Sequence, residues 1–177
     1  MMKSKTLNKN HSLTPISSCA QVLVYLGIGT NKGIREENIN KAITLLRNIK
    51  EIKVLKLSKL LKNPPREGVR SGYFLNGAIK LLTSLSPDEL LKVCKRIERK
   101  MGRQVSRIKR SRIIDLDILF YGDKIISSKC LTIPHPMIEK RDFVLIPLLD
   151  IAKDFKHPVV EKTVETLCVT SLLVHRT

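Results

Sequence analysis

The chain has 177 residues, the length of one domain with a well-filled core. With 33 Lys and Arg against 16 Asp and Glu it carries a formal charge of +17, which points to an anionic partner such as a nucleotide, a nucleic acid or an acidic surface. Cys19, Cys94, Cys130 and Cys168 form no Cys-x-x-Cys pair and have no histidine in ligand register, which excludes a zinc ribbon and a disulfide framework and suits a reducing cytoplasm. The longest apolar run, Phe143 to Leu149, is too short to span a membrane and contains Pro147.

Residues 1–20 are rich in Lys, Ser, Thr and Asn, contain no acid and lack the apolar block of a secretory signal. They read as a disordered or variable extension before one domain over 21–177. Gln21 to Ile28 is a dense apolar run, expected as a buried strand. Gly27, Gly29 and Gly33 follow, but a dinucleotide fingerprint would need glycine at Lys32, and no Gly-x-x-x-x-Gly-Lys-Ser/Thr occurs anywhere. The glycines are therefore expected to serve the turn from strand into helix. Ile39, Ala42, Ile43 and Leu46 recur at helical spacing and predict an amphipathic helix over 34–48.

Ile52 to Leu61 reads as a second strand, ended by Asn63-Pro64-Pro65, where the prolines remove backbone donors and force extended or turn geometry. A loop from Arg66 to Gly72 leads to a third strand, Tyr73 to Thr83. Ser86-Pro87-Asp88-Glu89 is a helix start, with a serine cap, proline at the first helical position and a glutamate placed to complete a capping box. Leu90, Val93, Cys94, Ile97 and Met101 form that helix's buried stripe, and Gly102 is its stop.

From Arg99 to Arg112 the chain carries Arg99, Lys100, Arg103, Arg107, Lys109, Arg110 and Arg112 with no acid among them. This basic segment feeds into Ile113 to Tyr121, an apolar run interrupted by Asp115 and Asp117. Side chains alternate along a strand, so the two acids project from one face while Ile114, Leu116 and Ile118 project from the other. Strand, helix, strand, strand, helix, strand is the order of a ferredoxin-like βαββαβ core, an α+β fold with an antiparallel sheet flanked by helices. Beyond it a short strand near Lys124 to Ile126, an extended proline-bounded stretch from Leu131 to Pro136, and helices over Val144 to Ala152 and Thr163 to Val169 complete the expected elements.

Two readings of function compete at this point. Paired acids on a strand are either a solvated edge or, with the cations beside them, a magnesium and phosphate site for phosphoryl-type transfer. The βαββαβ order also belongs to RNA-recognition domains, and Val24-Tyr25-Leu26-Gly27 and Gly72-Tyr73-Phe74-Leu75 put aromatics where those domains stack bases. Against the second, aromatics are 4% of the chain and Trp is absent, and paired acids on the fourth strand repel a polyanion unless a metal lies between them.

Six segments then resemble one family in their order. Asn63-Pro64-Pro65, Tyr73-Phe74-Leu75-Asn76, Arg96-Ile97-Glu98 with Gly102-Arg103, Arg112 to Ile118, Leu131 to Pro136 and Arg141-Asp142-Phe143 are similar to the motifs of 6-hydroxymethyl-7,8-dihydropterin pyrophosphokinases, over about Val22 to Leu167. The resemblance implies an enzyme of folate biosynthesis that moves the pyrophosphoryl group of ATP to a dihydropterin and releases AMP, using two magnesium ions. It implies that Asp115 and Asp117 hold the metal, and that Arg103 and Arg112 act on the phosphates. It places Glu98, Ile118, Thr132, His135 and Arg141 around ATP, and Pro64, Pro65, Phe74, Asn76 and Phe143 around the pterin, with the two phenylalanines sandwiching the ring. The implied partners are these small molecules, with no nucleic acid and no membrane, together with association with dihydropteroate synthase or dihydroneopterin aldolase. The chain departs from the family's usual pattern at Lys109-Arg110-Ser111, at Val105 and at Lys95.

Overall fold

Near-continuous burial along the central strands marks a sheet covered on both faces. The computed structural model describes residues 20–64, 72–103 and 112–174. The expected extension up to residue 19, Pro65, the 66–71 part of the following loop, and Arg107, Lys109 and Arg110 lie outside the described residues. In chain order the elements are β1 (Val22–Thr30), α1 (Arg35–Arg47), β2 (Ile52–Leu57), β3 (Leu61–Asn63), β4 (Phe74–Thr83), α2 (Pro87–Lys100), β5 (Asp115–Tyr121), β6 (Ile126–Ser127), β7 (Thr132–Ile133), a 3-10 turn (Ile138–Lys140), α3 (Asp142–Ala152) and α4 (Val164–Val174). The strands lie in the order β2, β4, β1, β5, with β3 continuing β2 along the edge of β4, and every pairing is antiparallel. This is the expected ferredoxin-like sheet, and β6 and β7 form a separate hairpin.

On one face Val24, Leu26 and Ile28 of β1 pack with Leu116 and Ile118 of β5 against the apolar stripes of α1 and α2. On the other, Tyr25, Ala78, Leu119 and Phe120 pack under α3 and α4. The second face is the one on which an RNA-recognition domain would stack bases, and here Tyr25 is buried among Phe120 and Phe155 beneath the helices. Helix α2 starts as expected: Glu89 accepts the Ser86 N–H at 2.8 Å, Ser86 Oγ accepts the Glu89 N–H at 3.4 Å, and Pro87 opens the first turn. Gly102, at φ +94, ends it. Among the described residues no helix is long and apolar enough to cross a membrane.

Three local expectations are corrected. The run from Ile52 to Leu61 is two strands, because Ser58 spends its hydroxyl on the ladder: its Oγ accepts the Ala78 N–H at 2.8 Å while its own N–H donates to the Ala78 carbonyl at 2.9 Å. Leu57 then faces Ile79 but Leu61 faces Asn76, so the edge carries one extra residue, a bulge. Without it Asn63 would point with Leu57 into the α1 and α2 core; with it Asn63 joins Phe74 and Asn76 on the other face. Asp150 of α3 accepts the Lys59 N–H at 2.8 Å and secures this break.

Gly27 and Gly29 are not turn glycines. They lie inside β1, and only Gly33, at φ +66, makes the turn. The last helix runs on to Val174, because the Thr170 hydroxyl donates to the Thr166 carbonyl (2.8 Å) and Ser171 to Asp142 (2.5 Å). The Thr170 bond goes to a carbonyl one turn back within the helix, and the Ser171 bond ties the last turn to the start of α3.

Candidate active site

The register of three strands defines one cleft. Gly29 of β1 pairs with Asn76 of β4 on one side and Asp115 of β5 on the other; two residues earlier, Gly27 pairs with Ala78 and Asp117. On this face β1 carries no side chain at either position, so bare backbone forms a floor between an amide on one flank and two carboxylates on the other. The cleft, about 290 Å³, is lined by that floor, by Asn63, Phe74 and Asn76, by Arg112, Asp115 and Asp117, and by His135, Arg141 and Phe143 at the rim. Phe143 and Arg141 come from the start of α3, with the guanidinium 5.8 Å from the phenylalanine ring centre.

Asp115 is the most strongly engaged group. Its Oδ1 accepts from Arg103 Nη1 at 2.6 Å and its Oδ2 from Arg112 Nη1. Burial works to raise its pKa, but the Arg112 and Arg103 charges, with Lys95 behind them, hold the carboxyl below the usual aspartate range. Arg103 Nη1 also meets Glu98 Oε2 at 2.5 Å, and Glu98 Oε1 accepts the Leu116 N–H at 2.8 Å and Lys95 Nζ at 3.1 Å. Burial pushes Glu98 up, against the Leu116 hydrogen bond and the Lys95 and Arg103 charges. Lys95, Glu98, Arg103, Asp115 and Arg112 thus alternate in sign from α2 to the cleft.

His135 is held from two directions. Its backbone N–H donates to the carbonyl of Leu119 at 3.1 Å. Leu119 is the residue skipped where β5 changes register against β1, with Leu26 opposite Ile118 and Tyr25 opposite Phe120. Its Nδ1 accepts the Met137 N–H at 3.2 Å, which leaves the ring proton on Nε2. Burial, helped by the Arg141 charge and opposed by Asp117, keeps the ring below the ordinary histidine range, so at neutral pH it is an uncharged donor.

Not every expected site residue reaches the cleft. Glu98 is buried beneath it with both oxygens engaged, Ile118 faces the α1 and α2 core, and Pro64 is exposed beside Asn63. Arg103 contacts the site through Asp115. Thr132 lines a second hollow of about 220 Å³ that shares His135 with the first. Pro65 lies outside the described residues.

Four residues escaped sequence reasoning. Gly27 and Gly29 alternate with buried Leu26 and Ile28, and that spacing of two within a strand was the available signal. Asn31, buried at the end of β1, donates its backbone N–H to the Arg112 carbonyl at 3.1 Å and accepts the Arg112 N–H on Oδ1 at 2.6 Å. This clasp sets the residue from which Arg112 reaches Asp115. Asn63 Oδ1 accepts from Asn76 Nδ2 at 2.5 Å. Asn31 has no sequence signal, since its contact spans 81 positions, whereas Asn63 stands in the motif Asn63-Pro64-Pro65, which gave it no role of its own.

Carboxylates, guanidiniums and a neutral histidine on one wall, with two phenylalanines and an amide on the other, suit a charged phosphate chain beside a flat polar ring. Among the described residues no three His, Cys, Asp or Glu side chains cluster closely enough to hold a metal by themselves. Two strand carboxylates instead suit a hard cation that takes one or two carboxylates and completes its shell with phosphate oxygens and water.

Residues 25–153 match the family model described as 7,8-dihydro-6-hydroxymethylpterin-pyrophosphokinase. The chain is 39% identical over 154 residues to the folic acid synthesis protein fol1 of Schizosaccharomyces pombe, covering 87% of this chain and 21% of that protein. It is 42% identical over 139 residues to the 2-amino-4-hydroxy-6-hydroxymethyldihydropteridine pyrophosphokinase of Aquifex aeolicus, covering 78% of this chain and 86% of that one. It therefore spans about a fifth of the S. pombe relative and most of the A. aeolicus one. The fold is shared with the crystal structure of Plasmodium falciparum HPPK-DHPS with pteroate, at a TM-score of 0.71 and 18% identity, over 89% of this chain and 43% of that one.

Proposed function

Since the chain belongs to the 7,8-dihydro-6-hydroxymethylpterin-pyrophosphokinase family, we propose that it transfers the pyrophosphoryl group of ATP to the hydroxymethyl oxygen of 6-hydroxymethyl-7,8-dihydropterin, as a step of folate synthesis. The hydroxymethyl oxygen attacks the β-phosphorus of ATP, the bond from that phosphorus to the α-phosphate oxygen breaks, AMP leaves, and the hydroxyl proton is lost. The observation that carries this reading is the opposition, across the Gly27 and Gly29 floor, of Asp115 and Asp117 to Asn76 with Phe74 and Phe143 on one cleft.

In this proposal Phe74 and Phe143 hold the ring by stacking and apolar burial, and the Asn76 amide pairs with its polar edge. Arg112, Arg103 and Arg141 bind phosphate oxygens, and guanidiniums placed where charge builds up lower the barrier to transfer. The neutral His135 donates from Nε2 to a phosphate oxygen. Asp115 and Asp117 would hold magnesium, two ions in the proposal, which when bound neutralises phosphate charge and aligns the attacking and leaving oxygens. Pro64 and Pro65 would shape the ring pocket's rim, and Thr132, with the backbone of Ile118 whose side chain stays in the core, would border the nucleoside. Glu98 acts through Arg103 and not on ATP directly.

The proposal takes residues 21–177 as one catalytic domain and a cytoplasmic setting, supported by the free Cys94, Cys130 and Cys168. Association with dihydropteroate synthase or dihydroneopterin aldolase belongs to it too, the HPPK-DHPS neighbours supporting the first. The test is a nucleotide assay with ATP, magnesium and the dihydropterin. AMP should form with little ADP, and Asp115→Ala or Asp117→Ala should abolish turnover with the thermal midpoint retained. ADP as the main product, or AMP formed at the normal rate by either variant, would overturn it.

A further inference from the structure

We infer that Asn63 is a specificity-determining residue of the ring pocket, because it fixes which way round the Asn76 amide faces. The inference rests on the proposed contact between Asn76 and the pterin edge.

A carboxamide is nearly symmetric in shape but carries an acceptor at one end and a donor at the other. Sterics alone do not stop it turning over, so its hydrogen-bond partners decide its orientation. Asn63 sits diagonally from Asn76 on the β3–β4 pair, opposite Phe74, with Leu61 opposite Asn76. Its own orientation is set from outside the cleft, where its Nδ2 donates to the Pro64 carbonyl at 3.3 Å. Its Oδ1 is thereby turned to Asn76 and accepts from Nδ2 at 2.5 Å. Asn76 Oδ1 then lies over the backbone of Gly29, where an added Cβ would stand 2.6 Å away. All three residues line the cleft.

With one Nδ2 hydrogen committed to Asn63, the amide offers a ligand its Oδ1 and the second Nδ2 hydrogen in a fixed order. That order pairs with a ring edge bearing N–H beside C=O. A 2,4-diamino ring presents the reverse, a bare ring nitrogen beside an amino group, and would need the amide turned over. Turning it would bring two oxygens, those of Asn63 and Asn76, into contact in place of a hydrogen bond, so Asn63 discriminates against the diamino ring without touching it.

The test measures Kd for 6-hydroxymethylpterin and for its 2,4-diamino counterpart, with magnesium and a non-hydrolysable ATP analogue present. The proteins are the wild type, N63A, N63L, N63D, N76A and N63A/N76A. The wild type should favour the oxo ring. N63A and N63L, which keeps the branched heavy-atom outline without the acceptor, should shrink that preference about threefold to tenfold, the net worth of one neutral hydrogen bond. N63D keeps the acceptor and should keep the preference. N76A should abolish it, and N63A should add nothing in that background, an outcome that a merely structural role for Asn63 does not produce. An unchanged preference in both N63A and N63L, with N76A losing it, overturns this inference and leaves the proposed function standing. If N76A binds the oxo ring as well as the wild type does, the assigned ring contact itself fails, and this inference falls with it.

Discussion

Gly29→Ala is the sharpest steric perturbation of the site. Its new Cβ would lie 2.6 Å from Asn76 Oδ1, whereas ordinary contact begins at 3.4 Å, so the amide has to move by roughly 0.8 Å or rotate away. The motion costs the hydrogen bond to Asn63, about 1 kcal/mol of stability, which the chain-entropy gain of alanine in a strand, about 0.5–1 kcal/mol, largely offsets, so Tm should fall by no more than about 2 °C. The larger effect is on the ring. If the displaced amide leaves a buried donor and acceptor of the pterin unpaired, affinity should drop by about 2 kcal/mol, near thirtyfold. Calorimetric titration with the pterin measures the Kd, and a thermal melt measures the stability. Gly27→Ala is the stability control: its Cβ meets Leu119 Cδ2 at 3.4 Å, which needs no movement, and its Tm should equal or exceed the wild type, since alanine loses less chain entropy in a strand. Pterin affinity within threefold of wild type in Gly29→Ala would refute the role given to Asn76 and to the bare floor.

Three further outcomes are expected. Asn31→Ala removes the acceptor for the Arg112 N–H and should lower kcat about tenfold, a loss of about 1.4 kcal/mol, with little change in KM for the pterin; in an Arg112→Ala background it should cost nothing more, and additive losses would show that Asn31 does not act through Arg112. Ser86→Ala breaks the capping box and should lower stability by about 1 kcal/mol, read as a fall of about 2–4 °C in Tm, with activity at assay temperature unchanged; an unaltered melt would refute the cap's contribution. His157 is kept below the ordinary histidine range by burial, the Glu139 charge opposing, and its Nδ1 accepts the Val159 and Val160 N–H groups at 3.2 and 3.4 Å. The unfolded chain binds a proton near pH 6.5 that the folded ring refuses, so this contribution to stability is full above that pH and is lost as the pH falls toward the folded pKa. His157→Asn keeps an acceptor and should flatten the decline of unfolding free energy below about pH 6.5, leaving the part due to His135. Equal slopes in the two proteins would contradict it.

What the sequence made legible were features set by local periodicity. The stripes of α1 and α2 are read from spacing, the start of α2 from Ser86 and Glu89, and the shared face of Asp115 and Asp117 from the two-residue period of a strand. Phe74, Asn76 and Phe143 became candidates only through the family resemblance, since a phenylalanine in a core and one against a ring look alike in sequence. The bulges at Ser58 and Leu119 were not legible at all. Each depends on a backbone or hydroxyl group competing for a ladder position on a strand distant in sequence, and each turns a site residue, Asn63 or His135, toward the cleft. Gly27 and Gly29 were misread because glycine is commonest in turns, whereas here its use is to withhold a side chain.

That withheld side chain explains why this sheet can hold a site on a face that would otherwise be core. An antiparallel sheet sets cross-strand partners about 5 Å apart, so Asn76 and Asp115, each one strand from Gly29, stand about 10 Å apart across β1. Any larger residue at 27 or 29 would fill that span as Tyr25 fills it further along the same strand, where Phe120 and Phe155 close over it. The boundary between packed core and open cleft on this face therefore falls between Tyr25 and Gly27 on one strand. Helix α3 spans the same boundary, with Leu145 and Leu148 on the core and Arg141 and Phe143 at the rim. The groups proposed to bind the ring and the phosphates face each other because the register of β4 and β5 on either side of β1 sets Asn76 and Asp115 on opposite flanks of Gly29.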